Sequence, residues 1–172
     1  MSTIDVLYSA EAIAARIGEL GQELSDHYRG EPVVAVAVLK GSFVFLADLV
    51  RAMPEADVQV DFLGVSSYEG TSSTGQVRVT HDLGRSIAGA HVLLVEDIVD
   101  TGLTLKFLVE ALEMRDPASL RVVSMLDKPS RRTVDIRPDW SGFVIPDHFV
   151  VGYGLDLDQS YRHLPFIGIY RG

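Results

Sequence analysis

The hydrophobic positions of the chain fall into two kinds of pattern. Val33 to Leu39 is an unbroken apolar run, which reads as a strand buried on both faces. Ahead of it, Ile13, Ile17, Leu20 and Leu24 recur at helical spacing over residues 9 to 29, with Ser9 as N-cap and Gly30 and Pro32 as stops. This predicts a packing helix on the flank of the domain. Lys40-Gly41-Ser42 closes the first strand, and Phe43 to Met53 reads as a helix. Val58 to Ser67 and Gln76 to Thr80 read as two more strands. Between them, residues 68–75 are small, polar and glycine-rich, a composition that suits a mobile loop. Val92 to Val95 is another buried run, and Leu105, Leu108, Val109 and Leu112 share one face of a helix predicted over 103–114. Leu120 to Leu126 follows as a strand. Strand 92–95, helix 103–114 and strand 120–126 make a βαβ unit, which implies parallel pairing.

From about Lys128 onward the sequence is rich in proline, aspartate and aromatic residues. Its apolar runs, Phe143 to Ile145, Phe149 to Tyr153 and Phe166 to Tyr170, are too short for helices. No linker, repeat or low-complexity stretch divides the chain. The expected architecture is one α/β domain over 1–172: a parallel-centred sheet flanked by helices, with a small hood lobe. The hood is expected to combine the N-terminal segment and its helix with residues from about 128 to 172.

Composition narrows the partners. At 172 residues the chain has room for one full core. Its net charge of −9 argues against nucleic acid, whose binders are normally basic, but leaves room for a local pocket taking one small polyanion. Without cysteine there is neither a disulfide nor a thiolate metal site, and without asparagine no N-glycosylation acceptor. The first residues lack the basic and apolar regions of a signal peptide, and no apolar stretch approaches the roughly 20 residues that span a bilayer. A cytoplasmic protein with no membrane partner is expected.

The chemistry concentrates at His91 to Thr104. The strand 92–95 ends in two adjacent carboxylates, Glu96 and Asp97. A third, Asp100, opens the turn Thr101-Gly102-Leu103-Thr104, and a helix follows. In an open α/β sheet such a strand-to-helix junction is where ligands bind. N–H groups of the turn and of the first helical turn attract anions, phosphate above all. Carboxylates beside them suit sugar hydroxyls or a divalent cation. Three carboxylates in five positions, joined to a Thr-Gly-x-Thr turn, exceed what a solvated strand rim would show by chance.

The run Val92 to Thr104 resembles the phosphoribosyl-pyrophosphate (PRPP) motif of type I phosphoribosyltransferases, and within them the 6-oxopurine branch. The likeness extends in ordered motifs from about Val33 to Gly168. It implies the type I phosphoribosyltransferase fold and Mg²⁺-dependent purine salvage. The 5-phosphoribosyl group would pass from PRPP to N9 of hypoxanthine, with guanine as a second acceptor, giving IMP or GMP and pyrophosphate. It further implies that Thr101, Gly102, Leu103 and Thr104 hold the 5′-phosphate. Glu96 and Asp97 would bind the ribose hydroxyls directly or through Mg²⁺, and Asp100 would act as general base near purine N7. Lys40, Gly41 and Arg162 would meet the pyrophosphate, and Asp156 a second Mg²⁺. The Leu39–Lys40 peptide of this motif can be cis. Lys128 would donate to O6 of the purine, rejecting 6-amino bases because donor would face donor. Phe149 would stack on the base and the Val150 backbone would read its edge. Ser67 and Tyr68 belong to a loop expected to close over PRPP and exclude water. Arg131 and Arg132 read as solvated or structural, with Arg132 as a brace. Family habit implies a homodimer or homotetramer.

Leu103 stands where many relatives carry a longer polar residue, and His148 where some have Lys or Glu. The first departure matters little if the backbone binds the phosphate; the second could tune base preference.

Other readings are weaker. Asp100-Thr-Gly also matches the aspartic protease signature, but it occurs once and precedes a helix in an alternating α/β chain. A PRPP-sensing regulator would keep the phosphate turn but could lose Asp100, Lys128 or the stacking aromatic, and all three are present. Another transferase of the same fold would act on uracil, orotate, adenine or xanthine; Lys128 and the 149–154 segment favour 6-oxopurines. Gly152-x-Gly154 lacks the third glycine of a dinucleotide fingerprint. The five histidines show no metal-ligand spacing.

Overall fold

The computed structural model describes residues 3–67 and 77–172. The expected closing loop falls almost wholly outside them: Tyr68 is not described, and Ser67 is described only as backbone at the end of a strand.

Nine strands and three α-helices are described, in the order β1 (Ile4–Tyr8), α1 (Ala10–Tyr28), β2 (Val33–Leu39), α2 (Phe43–Arg51), β3 (Val58–Ser67), β4 (Val77–His81), β5 (His91–Val99), α3 (Leu103–Glu113), β6 (Ser119–Asp127), β7 (Trp140–Val144), β8 (Val150–Val151) and β9 (Ile167–Tyr170). A six-stranded sheet runs β4-β3-β2-β5-β6-β7. All its pairs are parallel except β3 with the edge strand β4. The mixed α/β architecture read from the sequence is thus the one observed.

Alternation along the central strands builds two cores. Ala35, Ala37, Leu93, Val95 and Val123 face α1 and α2. Val34, Val36, Val38, Val92, Leu94 and Val122 face α3, through Leu105, Leu108 and Leu112. Both faces being covered explains why β2 and the 92–95 stretch of β5 carry no polar residue. Ser9 caps α1, its hydroxyl accepting from the Ala12 N–H at 3.2 Å.

A second, three-stranded antiparallel sheet has the order β1-β9-β8. Its N-terminal contribution is a strand the hydrophobic pattern did not predict, Ile4–Tyr8. Helix α1 itself lies in the main core with α2 rather than in the hood, and β7 joins the edge of the main sheet.

The topology positions the site. From β2 the chain steps to β3 on one side; β5, β6 and β7 follow on the other. The strand order therefore reverses between β2 and β5, and ligands of open α/β sheets bind in the crevice at such a point. β2 and β5 pair from Val33–His91 as far as Ala37–Val95. Beyond that, β2 stays with β3 to Leu39–Gly64, while β5 stays with β6 to Val99–Asp127. The sequence suggested that β5 stops at Val95. It continues to Val99 but loses its β2 neighbour, so Glu96 and Asp97 sit on a strand edge that borders a crevice.

Candidate active site

A cleft of about 350 Å³ occupies this fork. Lys40 and Gly41 border it from the end of β2, and Glu96 to Gly102 from the end of β5. Thr104 comes from α3, and Asp156 and Arg162 from the loop before β9. Of the residues predicted for PRPP, only Leu103 does not line it; its side chain points to solvent and is 45% exposed.

Gly41, just past the end of β2, lies against Asp97 of β5. A Cβ there would stand 1.6 Å from Asp97 Oδ2, so only glycine leaves room for that carboxylate. The preceding Leu39–Lys40 peptide is cis. The buried Ser42 hydroxyl donates to the Val38 carbonyl at 2.6 Å, satisfying the strand end.

Glu96 is buried, and burial together with the neighbouring Asp97 pushes its carboxyl well above the usual range. Burial pushes Asp97 up to about 6, and the nearby Asp156 charge acts the same way. Two backbone N–H groups and the Arg162 guanidinium oppose that rise; the Ile98 N–H donates to Asp97 Oδ1 at 2.8 Å. Two acidic oxygen donors that resist ionisation together suit a hard divalent cation. Among the described residues no three acidic or histidine side chains converge as one metal-holding cluster. Asp156 stands apart from the pair, engaged by Arg162 Nη2 at 2.9 Å and by the Gln159 N–H at 2.8 Å.

The turn after β5 is built to leave a helix end open. Gly102, at φ 88°, begins α3 with no side-chain cap, and no acidic residue occupies the first helical turn. Thr101 Oγ1 accepts from the Leu103 N–H at 3.3 Å. The remaining N–H groups and the positive end of the helix dipole suit an anion. Gly102 is also sterically required: a Cβ would press on Arg132, Ile136 and Val134.

Arg132 is the brace behind this turn. Its Nε donates to the Asp100 carbonyl at 3.0 Å, and its other nitrogens reach the Val99 and Ile136 carbonyls and the Asp127 carboxylate. In front, Arg131 Nε lies 2.9 Å from Asp100 Oδ1, an ion pair whose N–H is not aligned as a hydrogen bond. The sequence suggested Arg132 as a brace, whereas the Arg131–Asp100 pair is not visible in it.

Lys128, Phe149 and Val150 do not line the cleft. Lys128 follows β6 with its side chain only 8% exposed, and its ammonium lies 3.6 Å from Asp147 Oδ1. Asp147 also lies 3.4 Å from Arg131 Nη1. A chain of charges, Lys128–Asp147–Arg131–Asp100, thus joins this second group to the cleft. Phe149 is 52% exposed, with its ring edge-on to Tyr170 at 6.2 Å, and Val150 is buried in β8. Phe149 thus supplies an exposed aromatic and Lys128 a buried cation, the two kinds of group that a flat heterocycle with a carbonyl oxygen requires.

Facing the turn from across the cleft, Lys40 Nζ donates to Gln159 Oε1 at 3.1 Å, and Arg162 Nη1 donates to the Gly154 carbonyl at 2.7 Å. Gly154, at φ 96°, has no room for a side chain, since a Cβ would lie 2.1 Å from the Gly41 carbonyl oxygen.

An anion-binding helix end, an acidic strand edge and a basic loop at the switch point of a parallel sheet define a phosphoribosyl-transferring class. The chain belongs to the phosphoribosyltransferase family: the phosphoribosyl transferase domain model matches residues 3–158. More particularly, it is 47% identical over 169 residues to the hypoxanthine phosphoribosyltransferase of Salmonella typhimurium, covering 96% of this chain and 94% of that protein. The hypoxanthine-guanine phosphoribosyltransferase of Bacillus subtilis is 46% identical over 167 residues, 96% of this chain and 92% of that one. A crystal structure of a hypoxanthine-guanine phosphoribosyltransferase from Bacillus anthracis superposes with a TM-score of 0.93 at 43% identity, over 100% of both chains.

Proposed function

We infer that the chain is a purine-salvage enzyme transferring the phosphoribosyl group of PRPP to hypoxanthine or guanine, giving IMP or GMP and pyrophosphate. The observation that carries this reading is the fork between β2 and β5. It sets an uncapped helix end, an acidic pair and a basic loop around one cleft, with the buried Lys128 joined to it through Asp147 and Arg131.

The backbone and hydroxyls of Thr101 to Thr104 hold the 5′-phosphate at the α3 N-terminus. Glu96 and Asp97 bind the ribose 2′- and 3′-hydroxyls. Their raised proton affinity and oxygen donors fit Mg²⁺ bound with PRPP, and Asp156 fits a second ion beside the pyrophosphate. Bound Mg²⁺ offsets the charge that builds on the leaving pyrophosphate. The Lys40–Gly41 backbone and Arg162 receive that group. Phe149 stacks on the purine, the Val150 backbone reads its edge and Lys128 donates to O6. Asp100 accepts the proton from N7 as N9 bonds to C1 of the ribose; general base catalysis of this kind contributes roughly 10² to 10⁴ in rate. No helix of the described residues is long and apolar enough to cross a membrane. A single-domain cytoplasmic enzyme assembling as a homodimer or homotetramer completes the reading.

The test is a spectrophotometric assay with PRPP, Mg²⁺ and, in turn, hypoxanthine, guanine, xanthine, adenine and uracil. Turnover with hypoxanthine or guanine, and none with adenine or uracil, is expected. A chain that binds PRPP but turns over none of these bases would instead be a sensor.

A further inference from the structure

Gly152, Tyr153 and Gly154 adopt three consecutive left-handed conformations, at φ 95°, 52° and 96°. The two glycines have local reasons. A Cβ at either would lie 2.1 Å from a carbonyl oxygen, that of Phe166 or that of Gly41. Tyr153 has no such reason, and a bulky side chain in this region is unfavourable unless its surroundings fix it. They do so at both ends of the residue. The Tyr153 N–H donates to the Leu164 carbonyl at 2.9 Å. Its hydroxyl donates to Asp48 Oδ2 at 2.6 Å, across 105 positions of sequence, and the residue is only 6% exposed.

The two partners belong to the segment that follows Lys40-Gly41 and to the loop that carries Asp156 and Arg162, residues that line the cleft. Asp48 is on α2, the helix that begins directly after Lys40-Gly41-Ser42. Tyr153 opens the loop carrying Asp156 and Arg162. Within that loop the Gly154 N–H donates to the Arg162 carbonyl at 3.0 Å, and Arg162 Nη1 returns to the Gly154 carbonyl at 2.7 Å. Displacing Tyr153 therefore displaces the backbone against which Arg162 is set.

We propose that Tyr153 and Asp48 are positioning residues for the pyrophosphate half of the PRPP site: their hydrogen bond holds the Asp156–Arg162 loop in register with the Lys40–Gly41 peptide. The inference rests on the reading of that loop as the pyrophosphate side. Burial and the Asp48 carboxylate keep the phenol pKa above its ordinary value, so the hydroxyl remains a donor throughout the working pH range. Ile13, Phe43, Val44, Leu164 and Pro165 line an apolar cavity of about 540 Å³ beside the bond, shared with Tyr153 and Asp48 themselves.

Tyr153→Phe removes the hydroxyl and keeps the ring and the backbone demand. Asp48→Ala removes the acceptor from a side chain that also pairs with Arg51 on the surface, and Asp48→Asn keeps an oxygen acceptor. Steady-state kinetics in both directions, with thermal melts alongside, separate positioning from folding. In Tyr153→Phe and Asp48→Ala, KM for PRPP and KM for pyrophosphate in the reverse reaction are expected to rise about 3- to 10-fold, as loss of one charge-assisted hydrogen bond implies. KM for hypoxanthine should stay within about twofold of wild type. Asp48→Asn should restore most of the PRPP affinity, and the double variant should be no worse than the poorer single one. An active wild type whose Tyr153→Phe and Asp48→Ala forms keep the PRPP and pyrophosphate KM values overturns the inference alone. So does a rise in all three KM values that follows a fall in melting temperature. A wild type that turns over no base overturns the reading of the site, and this inference with it.

Discussion

Arg132 Nε donates to the carbonyl of Asp100 at 3.0 Å, so the residue read as general base is held through its backbone from behind. The same guanidinium serves Val99 and Ile136 carbonyls and the Asp127 carboxylate, and its side chain is only 12% exposed. Truncation to alanine would leave the largely buried Asp127 carboxylate and the Asp100 and Ile136 carbonyls without this donor. Arg132→Ala is expected to lower folding stability by about 3–5 kcal/mol. Lys at this position should rescue only part of that, since one ammonium cannot reproduce the fork. Urea unfolding of both variants checks it, and an Arg132→Ala midpoint equal to wild type would remove the bracing role.

Arg131 meets Asp100 from the other side but is 46% exposed. Exposed ion pairs contribute about 0–1 kcal/mol. Arg131→Ala should therefore lower kcat by less than about fivefold and leave the melting temperature nearly unchanged. A loss above a hundredfold would mean that Arg131 touches the reacting groups, and the assignment of Asp100 as the acting base would need revision.

Asp100→Asn keeps the size of the side chain and the Arg132 contact, which is to the backbone. It is expected to lower kcat by about 10² or more while PRPP still binds, because proton transfer is lost along with only an exposed ion pair to Arg131. Single-turnover kinetics and calorimetric titration of PRPP with Mg²⁺ distinguish the two effects. Unchanged turnover would exclude the role.

How much of this was legible in the sequence depends on how local the cause is. Helix α1 and strands β2 and β6 follow from periodicity and unbroken apolar runs, because burial acts residue by residue. Strand β1, Ile4–Tyr8, was missed because its pairing partner β9 lies at the far end of the chain and its own residues are half-exposed. The continuation of β5 through Glu96 and Asp97 was missed for a related reason: two carboxylates disfavour a strand locally, and pairing with Ser124, Leu126 and Asp127 of β6 overrides them. Motif residues such as Asp100 and Thr104 were legible because one short segment carries their geometry. The Arg131–Asp147–Lys128 contacts and the Tyr153–Asp48 bond are formed by chain segments brought together only on folding.

Lys128 is buried against Asp147 and faces no other described carboxylate within ion-pair distance. If its ammonium selects a 6-oxo group, Lys128→Ala should weaken the preference for hypoxanthine over adenine as well as raising KM for hypoxanthine. The comparison is the ratio of kcat/KM for the two bases. A single polar contact in a closed site can supply discrimination of about 10² or more. A ratio unchanged from wild type would take Lys128 out of base selection.

The acidic strand edge carries a pH dependence opposite in sign to that of an ordinary salt-bridged carboxylate. Asp97 is raised from 3.8 to about 6 in the folded chain, by burial first, and Glu96 is also raised, by burial and by Asp97. The folded state therefore binds these protons more tightly than the unfolded state does. The Asp97 contribution favours folding fully below about pH 4 and is lost as pH rises through about 6, and Glu96 acts with the same sign. For the ligand-free chain, Asp97→Asn is expected to raise stability at pH 8 by about 1–3 kcal/mol, at roughly 1.4 kcal/mol per tenfold change in proton affinity. At pH 4 it should do little. Mg²⁺ with PRPP should likewise raise the melting temperature of wild type more at pH 8 than at pH 5, because the ligands then meet ionised oxygens already formed. Thermal melts at the two pH values, with and without ligands, decide it. If Asp97→Asn melts below wild type at pH 8 without ligands, the carboxylate is held by its backbone donors and Arg162 more strongly than burial opposes it, and the electrostatic account of the acidic pair is wrong.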